Sequence, residues 1–153
     1  MGRAKAKAAA NEDLPELWRM WRALLRGRWS SIVVVPTAPG TSARGVVQAL
    51  EDLAREQDVG PFQIIDAEGA SMVDGPRIAS AIRSSGDPKV RKIVLVDSLV
   101  LSLCGAPIVA AVDAALLVIP IGADDPASMA STIQIVGQDR ILGYVAVEAR
   151  WSK

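Results

Sequence analysis

Apolar residues in this chain follow two alternating rhythms. Five runs are nearly continuous: Ser31–Val35, Phe62–Asp66, Lys92–Asp97, Ala114–Pro120 and Ile141–Val147. Between them, over Ser42–Glu56, Gly75–Ser84, Pro107–Val112 and Pro126–Gly137, apolar positions recur every three or four residues. The first rhythm predicts strands and the second helices. Strands that lack polar alternation are those covered on both faces. Strand–helix alternation with right-handed crossovers predicts an α/β fold, a doubly wound and mostly parallel five-stranded sheet flanked by helices. Such sheets bind ligands at the carboxyl ends of their strands. Here those ends carry Thr37–Arg44, Asp66-Ala67-Glu68, Asp97-Ser98 and Ile121-Gly122.

An amphipathic helix precedes the first strand. Leu14, Leu17, Trp18, Trp21, Leu24 and Leu25 fall on one face, with Glu16, Arg19 and Arg22 off it. Asp13 suits the N-cap, Pro15 the first turn, Glu16 the third position after the cap, and Gly27 the end. Trp18 and Trp21 fit a core or an interface. The five strands can form a core without this helix, and tryptophan beside arginine is typical of interfaces. The segment therefore reads as a self-association or docking element. The expected organisation is a basic arm over residues 1–12, the helix over 13–27 and the α/β domain over 31–150.

Composition narrows the chemistry. Histidine is absent and cysteine occurs once, at position 104. No Ser-His-Asp triad, His-ligated zinc site or cysteine cluster can be built from this chain alone. Cys104 reads as a small core or loop thiol, and Asp124-Asp125 before Pro126 as a helix cap. The single tyrosine, Tyr144, falls in a predicted strand, a core-type position for a modification site. The net charge is zero but uneven: residues 1–30 carry seven Lys/Arg against three Asp/Glu, and the remainder ten against fourteen. A basic arm on a mildly acidic body fits an anionic surface, a self-complementary assembly or a solvated tail. No basic or aromatic stripe in the body supports nucleic-acid binding. The opening MGRAKAKAAANED lacks the apolar core of a secretory signal, and no stretch of about 18 apolar residues occurs. The expected location is cytoplasmic, peripheral at the inner face of the cell membrane if a partner holds it there.

The first strand–helix turn carries the candidate chemistry. Thr37-Ala38-Pro39-Gly40-Thr41-Ser42-Ala43-Arg44 stands where a phosphate-binding loop, GxxxxGK[ST], would stand. A glycine-rich dinucleotide fingerprint is absent, since Gly40 and Gly45 are the only glycines there.

In order and spacing, these landmarks resemble the bacterial tyrosine kinases of polysaccharide biosynthesis, within the P-loop ATPases that include MinD and ParA. Glu16-Leu-Trp-Arg19-Met-Trp-Arg22 is similar to that family's E-x-x-R-x-x-R helix, which mediates ring-like self-association there. Thr37–Arg44 lies at the Walker A position and keeps Pro39-Gly40. Asp66-Ala67-Glu68 resembles the family's D-x-D motif, and Asp97-Ser98 resembles Walker B without its following prolines. Val112–Ile119 and Gly137–Val145 resemble the closing strands. The likeness spans residue 14 to about residue 148.

The departures decide what the resemblance implies. In the Walker frame Ser42 replaces the second glycine, Ala43 the lysine and Arg44 the magnesium-holding hydroxyl. That lysine and hydroxyl grip the β/γ-phosphates and Mg²⁺. No lysine lies between Lys7 and Lys89 to substitute. The family's adenine-side asparagine is replaced by Val147 or Glu148, its tyrosine-rich tail is missing, and the Asp66–Asp97 interval is short.

The resemblance thus implies a non-catalytic member with no catalytic residues, no metal and no cofactor beyond weak phosphate or nucleotide binding at the helix start. Its expected partners are its own copies through Glu16, Trp18, Arg19, Trp21 and Arg22, and the cytoplasmic part of a membrane polysaccharide co-polymerase or chain-length protein. Asp66, Glu68 and Asp97 become acidic relics or plain loop caps. Arg44 is expected either to replace the cation and tie the three acids together, or to lie exposed on its helix. Two rival readings remain: a working ATPase or kinase with an atypical loop, and a degenerate MinD/ParA-type positioning factor.

Overall fold

The computed structural model describes residues 14–58, 61–84, 86–87, 89–122 and 125–148. The basic arm over residues 1–12, the Asp13 cap and Asp124 lie outside the described residues. Helix α1 spans Leu14–Arg26 and leads into β1, Ser31–Pro36. Then follow α2 (Arg44–Glu56), β2 (Phe62–Asp66), α3 (Asp74–Ser84), β3 (Arg91–Leu95), α4 (Ala106–Ala111), β4 (Ala114–Ile121), α5 (Pro126–Val136) and β5 (Ile141–Glu148). The five strands form one sheet in the order β2-β3-β1-β4-β5, and every pairing is parallel. The expected α/β class holds, and "mostly parallel" becomes all-parallel among the described residues. A single helix, α3, fills the short β2–β3 interval.

The sheet has a packed layer on each side. Ile32 and Val34 of β1, Ile93 and Leu95 of β3, and Leu116 and Val118 of β4 face α1 and α2. Their alternates Val33, Val35, Val94, Ala115 and Leu117 face α3, α4 and α5. This two-sided cover is why every position of β1 from Ser31 to Pro36 is buried and why its sequence shows no polar alternation. Only the β1 connection leaves toward the α1/α2 layer; the connections after β2, β3 and β4 leave toward the other. Neighbouring loops that diverge to opposite faces open a crevice at the strand ends. That crevice lies beside the end of β1, where Thr37–Arg44 begins.

Helix α1 belongs to the core. Trp21 is 0% exposed and packs with Trp29, at 6.5 Å between ring centroids, and with Phe62 at 5.1 Å. The expectation that Trp21 serves an interface is therefore corrected: its ring is spent inside the fold, where it seals the end of the first layer. Trp18 is partly buried, with the Arg22 guanidinium 6.0 Å from its ring centroid, while Arg19 and Arg22 are exposed. Glu16 lies within the helix, but its side chain is outside the described set.

The end of α1 is held by two groups that the sequence pattern did not single out. Carbonyls at a helix C-terminus lack intrahelical partners. Trp29 Nε1 donates to the Leu24 carbonyl at 2.6 Å. Arg91 donates to the Leu25 and Gly27 carbonyls at 3.2 and 3.4 Å while stacking 4.6 Å from the Trp29 ring centroid. Removing the Trp21 side chain should cost about 3–5 kcal/mol, as for other buried tryptophans. The buried Trp21 Nε1 has no hydrogen-bond partner, so Trp21→Phe loses no bond and leaves only the smaller cavity of the missing ring, a cost of about 1–2 kcal/mol. Thermal melts should show Trp21→Ala lowering Tm by roughly 10 °C, with Trp21→Phe between it and wild type. Equal losses would show that the fused second ring, which phenylalanine lacks, carries the packing.

Asp113 ties the entry of β1 to that of β4. Its carboxylate accepts from Ser30 N at 2.7 Å, Ser30 Oγ at 2.9 Å and Ser31 N at 3.3 Å. Partial burial alone pushes this carboxyl up. The Ser30 and Ser31 hydrogen bonds, with the Arg140 charge, outweigh that and hold it below the usual carboxylate range. A depressed folded pKa stabilises the protein above the unfolded value of about 4, and that stabilisation fades as pH falls through the lower folded value. The Tm deficit of Asp113→Asn should therefore be largest near neutral pH and shrink in strong acid. A deficit independent of pH would remove the ionised form from this account.

Candidate functional site

The loop after β1 is built by local rules. Thr37 is buried, and its N and Oγ1 both donate to the Val118 carbonyl, at 2.9 and 3.2 Å. Ala38 to Thr41 then form a turn closed by Thr41 N donating to the Ala38 carbonyl at 3.3 Å. Pro39 occupies its second position and Gly40, at φ +81°, its third. Proline followed by a left-handed glycine is what a type II turn requires. Pro39-Gly40 thus has a full explanation in chain reversal, with no phosphate needed.

Ala43 is the informative position. It stands where the Walker lysine would stand, is 0% exposed, and packs into the α1/α2 layer. Its carbonyl accepts from Val47 N at 3.0 Å, starting α2. The side chain here points into the core, so the lysine is not merely missing from an otherwise open cradle.

Ser42 and Arg44 close the entrance from the β2 side. Ser42 Oγ accepts from Arg44 N at 3.1 Å and donates to Glu68 Oε2 at 2.8 Å. Arg44 donates to Asp66 Oδ2 at 2.8 Å and to Glu68 Oε1 at 2.5 Å. The chain's own carboxylate, Glu68, therefore stands at the start of α2, where the helix dipole favours an anion. The hydrogen bonds that the Arg44 guanidinium donates to Asp66 and then Glu68 push it above its ordinary value, so it stays charged. The Arg44 side chain is 58% exposed, and it ties two acids, Asp66 and Glu68, together. Exposed pairs of this kind contribute about 0–1 kcal/mol, so the cluster organises the crevice more than it stabilises the fold.

Asp97 is not joined to Arg44, which corrects the expectation of a three-acid plug. It lies two residues past the end of β3 and accepts from Gly69 N at 2.6 Å. Asp66 in turn accepts from Glu68 N at 3.1 Å through Oδ1. Ala70 N closes the Ala67–Ala70 turn on the Ala67 carbonyl at 3.2 Å. Asp66 and Asp97 thus hold the β2–α3 loop, the plain loop-capping role, and that loop carries Glu68 to Ser42. Among the described residues no group of three His, Cys, Asp or Glu side chains is placed to hold a metal ion.

Other sequence candidates fall into place. Asp125 caps α5, accepting from Ser128 N at 3.1 Å. Cys104 lies half-buried in a 3₁₀ turn before α4. Tyr144 corrects the expectation of a core position: it is 47% exposed on the edge strand β5. The Ser42–Glu68 bond is the contact that sequence reasoning missed. A serine in place of a loop glycine, with a glutamate two residues past a strand-end aspartate, was the available signal. No helix among the described residues is long and apolar enough to cross a membrane.

No known protein family, curated protein or solved structure matches this chain.

The position of Ala43 yields a direct test. Ala43→Lys restores the Walker residue on paper but forces an ammonium into an apolar layer. Burying an unpaired polar group costs about 2 kcal/mol or more. The variant should melt several degrees below wild type and acquire no ATP affinity by calorimetry. Gain of tight Mg-ATP binding at unchanged Tm would show that the side chain can turn outward.

Proposed function

We propose that this chain works by occupancy, as a non-catalytic scaffold or regulatory subunit of exopolysaccharide or capsule assembly and export. It would dock on the cytoplasmic part of a membrane co-polymerase or chain-length protein and associate with its own copies through α1. The polysaccharide context rests on the order of the motifs. The non-catalytic reading rests on one observation: Ala43 is sealed in the core while Glu68 fills the start of α2. A triphosphate brought there would meet a carboxylate and lack the lysine that offsets its charge.

The exposed Arg19 and Arg22 on α1, beside partly buried Trp18, support a docking role for the outer side of that helix. Trp21 contributes indirectly, by fixing α1 to the body. The protein would stay at the inner membrane face through its partner.

Titration calorimetry with Mg-ATP should give no binding tighter than about 1 mM. In cells, deletion should abolish polymer export, whereas Asp66→Asn and Asp97→Asn should leave it intact. Micromolar affinity together with steady phosphate release that Asp97→Asn abolishes would overturn this reading in favour of a working ATPase or kinase. Export unchanged on deletion would remove the polysaccharide role.

A further inference from the structure

Helix α1 carries a row of cations that no acid offsets. Arg19, Arg22 and Arg26 recur at i, i+3 and i+7; all three are exposed, and so is Ala23 between them. At 3.6 residues per turn these four positions share an arc of about 100° along about 10 Å of helix. Trp21 and Leu24 are buried in the core on the opposite side, so the row faces outward. Arg28, two residues past the end of α1, is exposed as well.

These charges are unspent. The sequence holds no Asp or Glu from Leu17 to Ser31. Among the described residues none of the four guanidiniums meets a carboxylate, whereas Arg44, Arg55 and Arg77 on the body are each paired with acids. Arg22 has only the face of Trp18, 6.0 Å from its ring centroid. Arg22 and Arg26, four residues apart, repel each other mildly, a cost that an anionic surface turns into attraction.

We propose that this face of α1 lies flat on the anionic headgroup surface of a lipid bilayer and binds it through its arginines. Charge and shape together select that partner. The first 30 residues carry seven cations against three acids, and the remainder ten against fourteen. A bilayer touches only the arginine side of the molecule and leaves the acidic body in solvent. A nucleic acid gripped in depth would meet that body. An outward helix face has no pocket for the anchor residue of a peptide, but it brings several long guanidinium side chains to one plane of phosphates. Trp18, partly buried at the margin of the row, is of the residue type that settles at headgroup level. The apolar side of α1 is spent on the core, so the contact is electrostatic and does not insert.

A second copy is a poorer occupant of the row. Facing rows would be like-charged, and Glu51, Asp52, Asp66, Glu68 and Asp74 already pair within their own copy. Copies related by a cyclic axis present the same face to one plane, so self-association along the flanks of α1 is compatible with lipid contact. The inference needs only the charge pattern of α1 and stands whether or not the polysaccharide reading does.

Flotation of the full chain with vesicles of phosphatidylglycerol and phosphatidylcholine, roughly 3:7 by mole, tests it. The vesicles should carry the protein at about 0.1 M salt and release it at about 0.5 M, as the screening length shrinks. Vesicles of phosphatidylcholine alone should carry none. Each basic side chain adds about fivefold to partitioning onto such a surface. Arg19→Gln with Arg22→Gln and Arg26→Gln should therefore weaken binding by about 100-fold at unchanged Tm, while Arg83→Gln, exposed on α3 across the sheet, should change nothing. If the triple variant fails to fold, Arg22→Gln and Arg26→Gln singly decide the matter, each at about fivefold. No retention on the anionic vesicles, equal retention on the neutral ones, or retention that the arginine variants leave unchanged would each overturn the proposal. So would a duplex oligonucleotide that strips the protein from the vesicles at equal phosphate concentration, which would assign the row to nucleic acid.

Discussion

Strand β1 must be apolar on both faces, because helices cover both and no solvent reaches its side chains. Much follows from that constraint. Ile32 and Val34 commit one side to α1 and α2, while Val33 and Val35 commit the other to α3, α4 and α5. Each such side chain contributes about 1.5–3 kcal/mol on burial, so the register of the central strands has little freedom to slip. Because β1 alone sends its connection into the α1/α2 layer, its loop diverges from those of β3 and β4. The crevice at its carboxyl end is thus a product of topology, whatever residues line it.

Most of the polar groups around it satisfy one another, although Ser98 Oγ, buried just past the end of β3, has no hydrogen-bond partner. Ser42, Arg44, Asp66 and Glu68 bond to one another, and Asp97 is spent on Gly69. The groups of the crevice thus serve the loops that surround it. At the start of α2 the Arg44 N–H is met by Ser42 Oγ, and Glu68 in turn accepts from that hydroxyl and from the Arg44 guanidinium. Elsewhere, Arg19 and Arg22 are exposed on α1, and the outer side of β5 meets no strand among the described residues. The same strand rhythm that builds the interior also builds that edge, since strand β5 has a β4 on one side only.

Among the described residues, the strands and α-helices from β1 to β5 were legible in the chain within one or two residues at each boundary, whereas the two short 3₁₀ turns were not. Continuous apolar runs and helix-spaced ones differ by period, and the period is a local property. Strand order was not legible. Parallel strands pair across crossovers, and nothing within Lys92–Asp97 names β1 and β2 as its neighbours. Trp21 shows the same limit on a single residue, because a tryptophan at helical spacing has one signature for two fates. Phe62 and Trp29, far from it or just after its helix, settled which.

At the site, sequence alone determined which chemistry is missing: no lysine at 43, no hydroxyl at 44 and no histidine anywhere. Residue identity needs no folding to be read. In the sequence Pro39-Gly40 read only as part of a loop, although its type II turn uses intrinsic properties, proline's φ and glycine's freedom. Only the tertiary structure decided that Ala43 faces the core, that Glu68 reaches Ser42, that Asp97 turns to Gly69 and that Tyr144 lies half-exposed on the last strand of the sheet. Each depends on where separate strands end relative to one another, and that is set by sheet order and layer packing, which no single stretch of chain encodes.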